Sequence, residues 1–105
     1  MLSIWFDDEH EWWINGKAFD RLFESAVDRG QVPATLAHYQ HVANANGGLS
    51  FDLIEREVAA VLKDGLLAQA AIDHTAVKDA DPSTWDGSYR VSLERLLGLF
   101  EKSGK

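Results

Sequence analysis

Apolar side chains return every three or four residues through most of the chain after Phe19, and that period admits an α-helix and little else. The fullest instance runs from Ser50 to Asp64. Phe51, Ile54, Val58, Val61 and Leu62 share one stripe there, while Asp52, Glu55, Arg56 and Lys63 fall mostly elsewhere. Gly47-Gly48 before it, Ser50 as an N-cap and Gly65 as a C-terminal stop delimit a central helix.

The same spacing predicts four more helices. Phe19, Leu22, Phe23, Ala26 and Val27 make one, ended by Arg29-Gly30. Pro33 suits the first turn of the next, which runs to about Asn44 with Leu36, Tyr39, Val42 and Ala43 inward and Asn46-Gly47-Gly48 as its stop. After Gly65, Leu67, Ala70, Ala71, His74 and Val77 share a face. Gly65 inside one long helix would cost about 1 kcal/mol relative to Ala, so a break there is the expectation. Residues 79 to 87 read as the longest loop, in which Asp81-Pro82 can open a single helical turn. The last helix spans about Ser88 to Lys102, with Leu93, Leu96, Leu97 and Phe100 inward, and Ser103-Gly104-Lys105 forms a tail. Only the N-terminus departs from this period. Ile4-Trp5-Phe6 and Trp12-Trp13-Ile14 are aromatic and β-branched runs, separated by Asp7-Asp8-Glu9-His10-Glu11 as an exposed turn. The fold class expected is mostly α: one domain over residues 1–105, a bundle of about five helices with a short N-terminal β-hairpin packed on it.

Composition removes several functions. The chain has no cysteine, hence no disulfide, no thiolate metal site and no cysteine nucleophile, a usage compatible with the cytoplasm. Its 105 residues hold no apolar run near the ~18 needed to span a membrane, and the start, acidic by Asp7, is unlike a secretory signal. Seventeen acids against ten bases leave a formal charge of -7, which phosphate backbones repel, so direct nucleic-acid binding is not expected. An acidic surface speeds encounter with a basic partner, although acidity also serves solubility alone.

No motif names a reaction. The phosphate-binding G-x-x-x-x-G-K-[ST], the dinucleotide G-x-G-x-x-G and the nucleophile elbow G-x-S-x-G are all missing. His10-Glu11 begins like the metalloprotease H-E-x-x-H, but Ile14 stands where the second His must be. Asp79, Asp81 and Ser83 begin like a calcium loop, yet the sixth position is Thr84 and the twelfth Arg90, so the bidentate Glu is lost. His38 and His41 can share a helix face, but a stable zinc site needs three or four protein ligands. The expectation is a non-enzyme with no cofactor and no metal.

Two features point to binding. Trp12 and Trp13, neighbours on a strand, must face opposite ways. Burial of both, one under helices and one under a loop, is the plainer expectation; an exposed one would be an interface anchor, rimmed by Asp7, Asp8, Glu9 and Glu11. In the first helix, Asp20, Glu24 and Asp28 recur every four residues. Like charges at that spacing cost a few tenths of a kcal/mol each, so local stability does not explain them; a basic partner would, and so would drift on an exposed face.

A small, acidic, cysteine-free, Trp-rich domain without catalytic motifs resembles the bacterial immunity proteins, and among them the small partners of contact-dependent growth-inhibition toxins. The resemblance lies in the profile of the whole chain. It implies a cytoplasmic protein that neutralises a cognate toxin domain, basic and nuclease-like, by covering its active surface. The binding residues expected from the residue patterns are Asp7, Asp8, Glu9, Glu11, Trp12, Trp13, Asp20, Glu24 and Asp28. Two other classes compete: a non-catalytic adaptor or structural subunit docking through an apolar patch, whose binding would survive high salt, and a small metal protein or enzyme built on His38 and His41.

Overall fold

The computed structural model describes residues 1–103. The aromatic runs pair as expected. Strand β1 (Leu2–Trp5) and strand β2 (Glu11–Ile14) form an antiparallel hairpin, with Ile4 opposite Trp12 and Trp5 opposite Glu11. Alternation buries Leu2, Ile4, Trp12 and Ile14 and leaves Trp5 and Trp13 on the outer face, 39% and 51% exposed. The expectation that both Trp12 and Trp13 are buried is therefore corrected: Trp12 is buried and Trp13 stays half exposed among the described residues.

Helix α1 (Gly16–Asp28) starts where the Asn15 side chain accepts the Ala18 N–H at 2.8 Å, and ends at Arg29 before left-handed Gly30. It buries Phe19, Leu22, Phe23 and Ala26, as the spacing predicts, with Ala18 added. A 3₁₀ turn at Ala34–Leu36 after Pro33 leads to helix α2 (His38–Asn46), closed by Gly47 in the left-handed region at φ 72°.

The central helix differs from expectation at both ends. Gly48–Ser50 is a third strand, β3, lying parallel to β1 in a sheet of order β2-β1-β3. Leu49 is buried, and Gly48 passes so close to Ser3 that a Cβ would strike the Ser3 carbonyl oxygen. Ser50 thus ends a strand instead of capping a helix. Phe51–Leu53 makes a 3₁₀ turn, and helix α3 runs unbroken from Arg56 to Val77. The expected break at Gly65 does not occur. Gly65 is buried mid-helix because the chain at Gln31-Val32 crosses it there, and a Cβ would collide with the Gln31 carbonyl oxygen. Close approach of two backbones, not chain reversal, is what this glycine permits. The two expected helices are one, leaving four α-helices among the described residues in place of five. The buried face of α3 shifts with it: Leu62, Leu66, Gln69, Ala70 and Val77 are inside, whereas Val61 and Ala71 are exposed.

Helix α4 (Trp85–Ser103) begins a turn earlier than expected, where Thr84 Oγ1 accepts the Gly87 N–H at 3.0 Å. In the preceding turn Asp81 accepts from the Ser83 N–H and hydroxyl. Of the expected tail, Ser103 closes α4, and Gly104 and Lys105 lie outside the described residues. Leu93 and Leu96 point inward together with Tyr89, and with the inner sheet face, α1 and α3 they form one core cluster. The indole N–H of Trp12 donates to the Ser92 carbonyl at 3.0 Å, fastening β2 to α4. Among the described residues no helix is long and apolar enough to cross a membrane.

Candidate functional site

A groove of about 690 Å³ runs between β2 and α4. Glu9, His10, Glu11, Trp12 and Trp13 form one wall, and Glu94, Arg95, Gly98 and Leu99 the other. Four of the residues expected to bind a partner (Glu9, Glu11, Trp12 and Trp13) thus lie in one place.

The hairpin turn is held rigidly beside it. Asp7 accepts the Glu9 N–H at 2.8 Å and contacts His10 Nδ1 at 2.6 Å. The His10 ring stacks on Phe100 at 5.1 Å, and Phe100 meets Phe6 edge-on at 5.2 Å. Burial alone would push the Asp7 carboxyl up, but the Glu9 N–H and the His10 side chain together hold it below the ordinary aspartate value. Asp7 is therefore a turn-building residue whose charge is engaged inside the molecule. Asp8 faces away from the groove toward Asp52. Lost hydration, a hydrogen bond shared with Asp8 and the charges of Asp8 and Asp7, in that order, raise the Asp52 carboxyl.

In the groove itself, Glu11 accepts the Ser3 hydroxyl from the neighbouring strand. Glu94 takes His74 Nε2 at 3.0 Å and Arg90 Nη1 at 3.1 Å. The His74 bond is the largest influence on it, and with Arg90 it holds the Glu94 carboxyl low against the opposing pull of desolvation. Glu9 and Trp13 are exposed, and no side-chain hydrogen bond engages either among the described residues. Trp12 fills the floor with its indole satisfied by Ser92.

The α1 stripe is elsewhere and is explained differently. Gln40 Nε2 donates to Asp20 at 3.0 Å and to Glu24 at 2.8 Å, and Asn44 Nδ2 donates to Asp20 at 2.8 Å. These carboxylates are the acceptors of an α1–α2 seam, which offsets the repulsion between them. Asp28 is exposed near the end of α1, away from the groove. Sequence reasoning missed the α4 wall: Glu94, Arg95, Gly98 and Leu99 carry no local signal that ties them to β2.

A second hollow, of about 630 Å³, lies on the other side of the sheet's outer face, where Trp5 meets Tyr39, Val42, Leu49, Ile54 and an 88% exposed Leu53. It is apolar and carries no acid. His38 and His41 are both exposed on α2, with His38 against Tyr39 at 4.3 Å. Among the described residues no group of three or more His, Cys, Asp or Glu side chains is placed to hold a metal ion. Glu9, His10, Glu11, Glu94 and Arg95 give the groove its charge, and Trp12, Trp13 and Leu99 its apolar surface. No family model matches the chain, and comparison with curated proteins and with solved structures gives no match.

Proposed function

We propose that this protein is a non-catalytic inhibitor that binds a basic partner protein through the β2–α4 groove, as an immunity protein covers the active surface of a nuclease toxin. The observation that carries the reading is Trp13. A half-exposed indole that makes no hydrogen bond among the described residues, flanked by Glu9 and Glu11, is the kind of side chain that anchors an interface. Aromatic anchors with a charged rim are the recurrent build of a protein-binding hot spot. The formal charge of -7 would steer a basic partner toward it. In this reading the protein works in the cytoplasm, and it needs no cofactor.

The test is capture of the partner by the tagged protein from its native cells, with release by a salt step. A single basic, nuclease-like protein is expected in stoichiometric amount. Trp13→Ala, or Glu9→Lys with Glu11→Lys, is expected to weaken its binding roughly tenfold or more, and the charge reversal to flatten the salt dependence. Binding and salt dependence unchanged by the reversal would sink the proposal. A second reading has its own observation: the apolar hollow at Trp5 and Leu53 suits an adaptor that docks on a larger assembly. Capture of such an assembly, held through high salt and lost in Leu53→Asp, would favour it.

A further inference from the structure

Strand β2 is an edge of the sheet, and the phase of its ladder tells which backbone groups it leaves open. The Phe6 N–H donates to the His10 carbonyl at 2.9 Å, in the register that sets Ile4 opposite Trp12 and Leu2 opposite Ile14. Bonded pairs alternate along an antiparallel ladder, so these two pairs exchange the bonds, and Glu11 and Trp13 turn their N–H and C=O groups outward. Ser3, opposite Trp13, agrees: its N–H points away from β2 and donates to the Gly47 carbonyl at 3.2 Å. Among the described residues, no backbone hydrogen bond outside the ladder engages Glu11 or Trp13.

These open groups run along the groove. We propose that the groove takes an extended basic segment of the partner protein, which adds to the free edge of β2 as a fourth strand. The inference rests on the reading of the groove as a protein-binding site and specifies how it is filled. Backbone bonds to Glu11 and Trp13 supply register, and side chains of the added strand alternate between two faces. Those on the outer face stand beside Glu11 and Trp13, where a lysine or arginine meets a carboxylate and the face of an indole. Those on the inner face turn to Gly98 and Leu99 and are apolar. Glu94 is taken up by Arg90 and His74, which leaves Glu9 and Glu11 in the groove against the guanidinium of Arg95 and favours a basic segment. A second copy of this chain fits poorly, because two β2 strands side by side would bring the acids of both copies along one seam.

The probe is a capped hexapeptide of alternating lysine and valine, added to the full chain and followed through its amide chemical shifts. Saturable shifts centred on the Glu11 and Trp13 amides are expected, together with slowed hydrogen exchange at those two. N-methylation of alternate peptide amides on one edge should weaken binding about tenfold while methylation on the other edge leaves it unchanged, because only one edge faces β2. Gly98→Phe should abolish binding; a Cβ at Gly98 meets nothing within 4 Å, and an unchanged urea midpoint checks that the ring leaves the fold intact. Strand addition is overturned if the Glu11 and Trp13 amides do not move, if both methylated peptides bind alike, or if those amides shift with protein concentration alone, which would mean self-pairing. The two proposals fail separately. If Glu9→Lys with Glu11→Lys abolishes partner capture while Gly98→Phe does not, the binding reading stands and strand addition falls.

Discussion

Two glycines inside helices should respond to alanine with opposite signs. In both, Ala gains about 1 kcal/mol of helix propensity over Gly. At Gly98 an added Cβ enters open space, so the gain is realised. At Gly65 the same atom meets the Gln31 carbonyl oxygen and carbon and a Val32 methyl, all well inside van der Waals contact. That stretch cannot step aside cheaply. The Gln31 and Val32 N–H groups both donate to the Ala26 carbonyl, at 2.8 and 3.1 Å, and Val32 is fully buried. Overpacking a core costs about 1–3 kcal/mol, and collision with anchored backbone belongs at the upper end. Subtracting the propensity gain leaves Gly65→Ala destabilised by about 2 kcal/mol and Gly98→Ala stabilised by up to about 1 kcal/mol. For a chain of this size the first lowers Tm by roughly 8 °C or more. Urea unfolding followed by tryptophan fluorescence reads both, provided the slope m is unchanged. A Gly65→Ala protein as stable as the parent would refute the close approach of α3 to the Gln31-Val32 segment.

Two further outcomes follow from the interior and the turn. Tyr89 is fully buried, and its hydroxyl donates to Asp73 at 2.6 Å, so burial first and then the Asp73 bond push the phenol well above its ordinary range. Tyr89→Phe should cost about 1–3 kcal/mol, read as a lower urea midpoint at constant slope, because Asp73 is left with Gln69 as its remaining donor. Asp7, held below the ordinary aspartate value of 3.8, stabilises the fold at pH above that value and loses the contribution as pH falls through its own lower one. Asp7→Asn should therefore be the less stable protein at neutral pH, by under about 1 kcal/mol given its partial exposure, and the difference should vanish in acid. A gap that persists in acid, once Asp7 itself is protonated, would contradict these contacts.

The parts of the fold that were legible in the sequence are those set by local rules. The α1 stripe from Phe19 to Ala26, the hairpin strands and the Gly47 stop each depend on residues within a turn or two of one another, and each is found where the spacing puts it. The failures share a non-local cause. Gly65 looked like punctuation because a helix glycine normally is, yet its reason for being there is a segment more than thirty residues earlier. Strand β3 is three residues long, too short for a period, and exists because Gly48 and Leu49 fit against β1. Trp12 and Trp13 were correctly set on opposite faces by strand geometry; what lay over each face could not be read from the strand.

The acids show the same division, and it bears on function. Asp20 and Glu24 looked unexplained because a repeat of like charge weakens an isolated helix, and a partner seemed needed to offset it. Their donors, Gln40 and Asn44, are a helix away and invisible to any local pattern. Asp7 is spent on its turn, Asp8 lies beside Asp52, and Glu11 is held by Ser3. Each of these side chains already has a structural use or faces another way. Glu9 and Trp13 differ: both sit in the groove, both are exposed, and among the described residues neither side chain makes a hydrogen bond. A groove whose exposed anchor and acid contribute little to stability, set along a strand edge with open backbone groups, is where substitutions can be made at small cost to the fold. Loss of binding in Trp13→Ala or Glu9→Lys can then be assigned to the site itself, which holds for neither Trp12 nor Asp7.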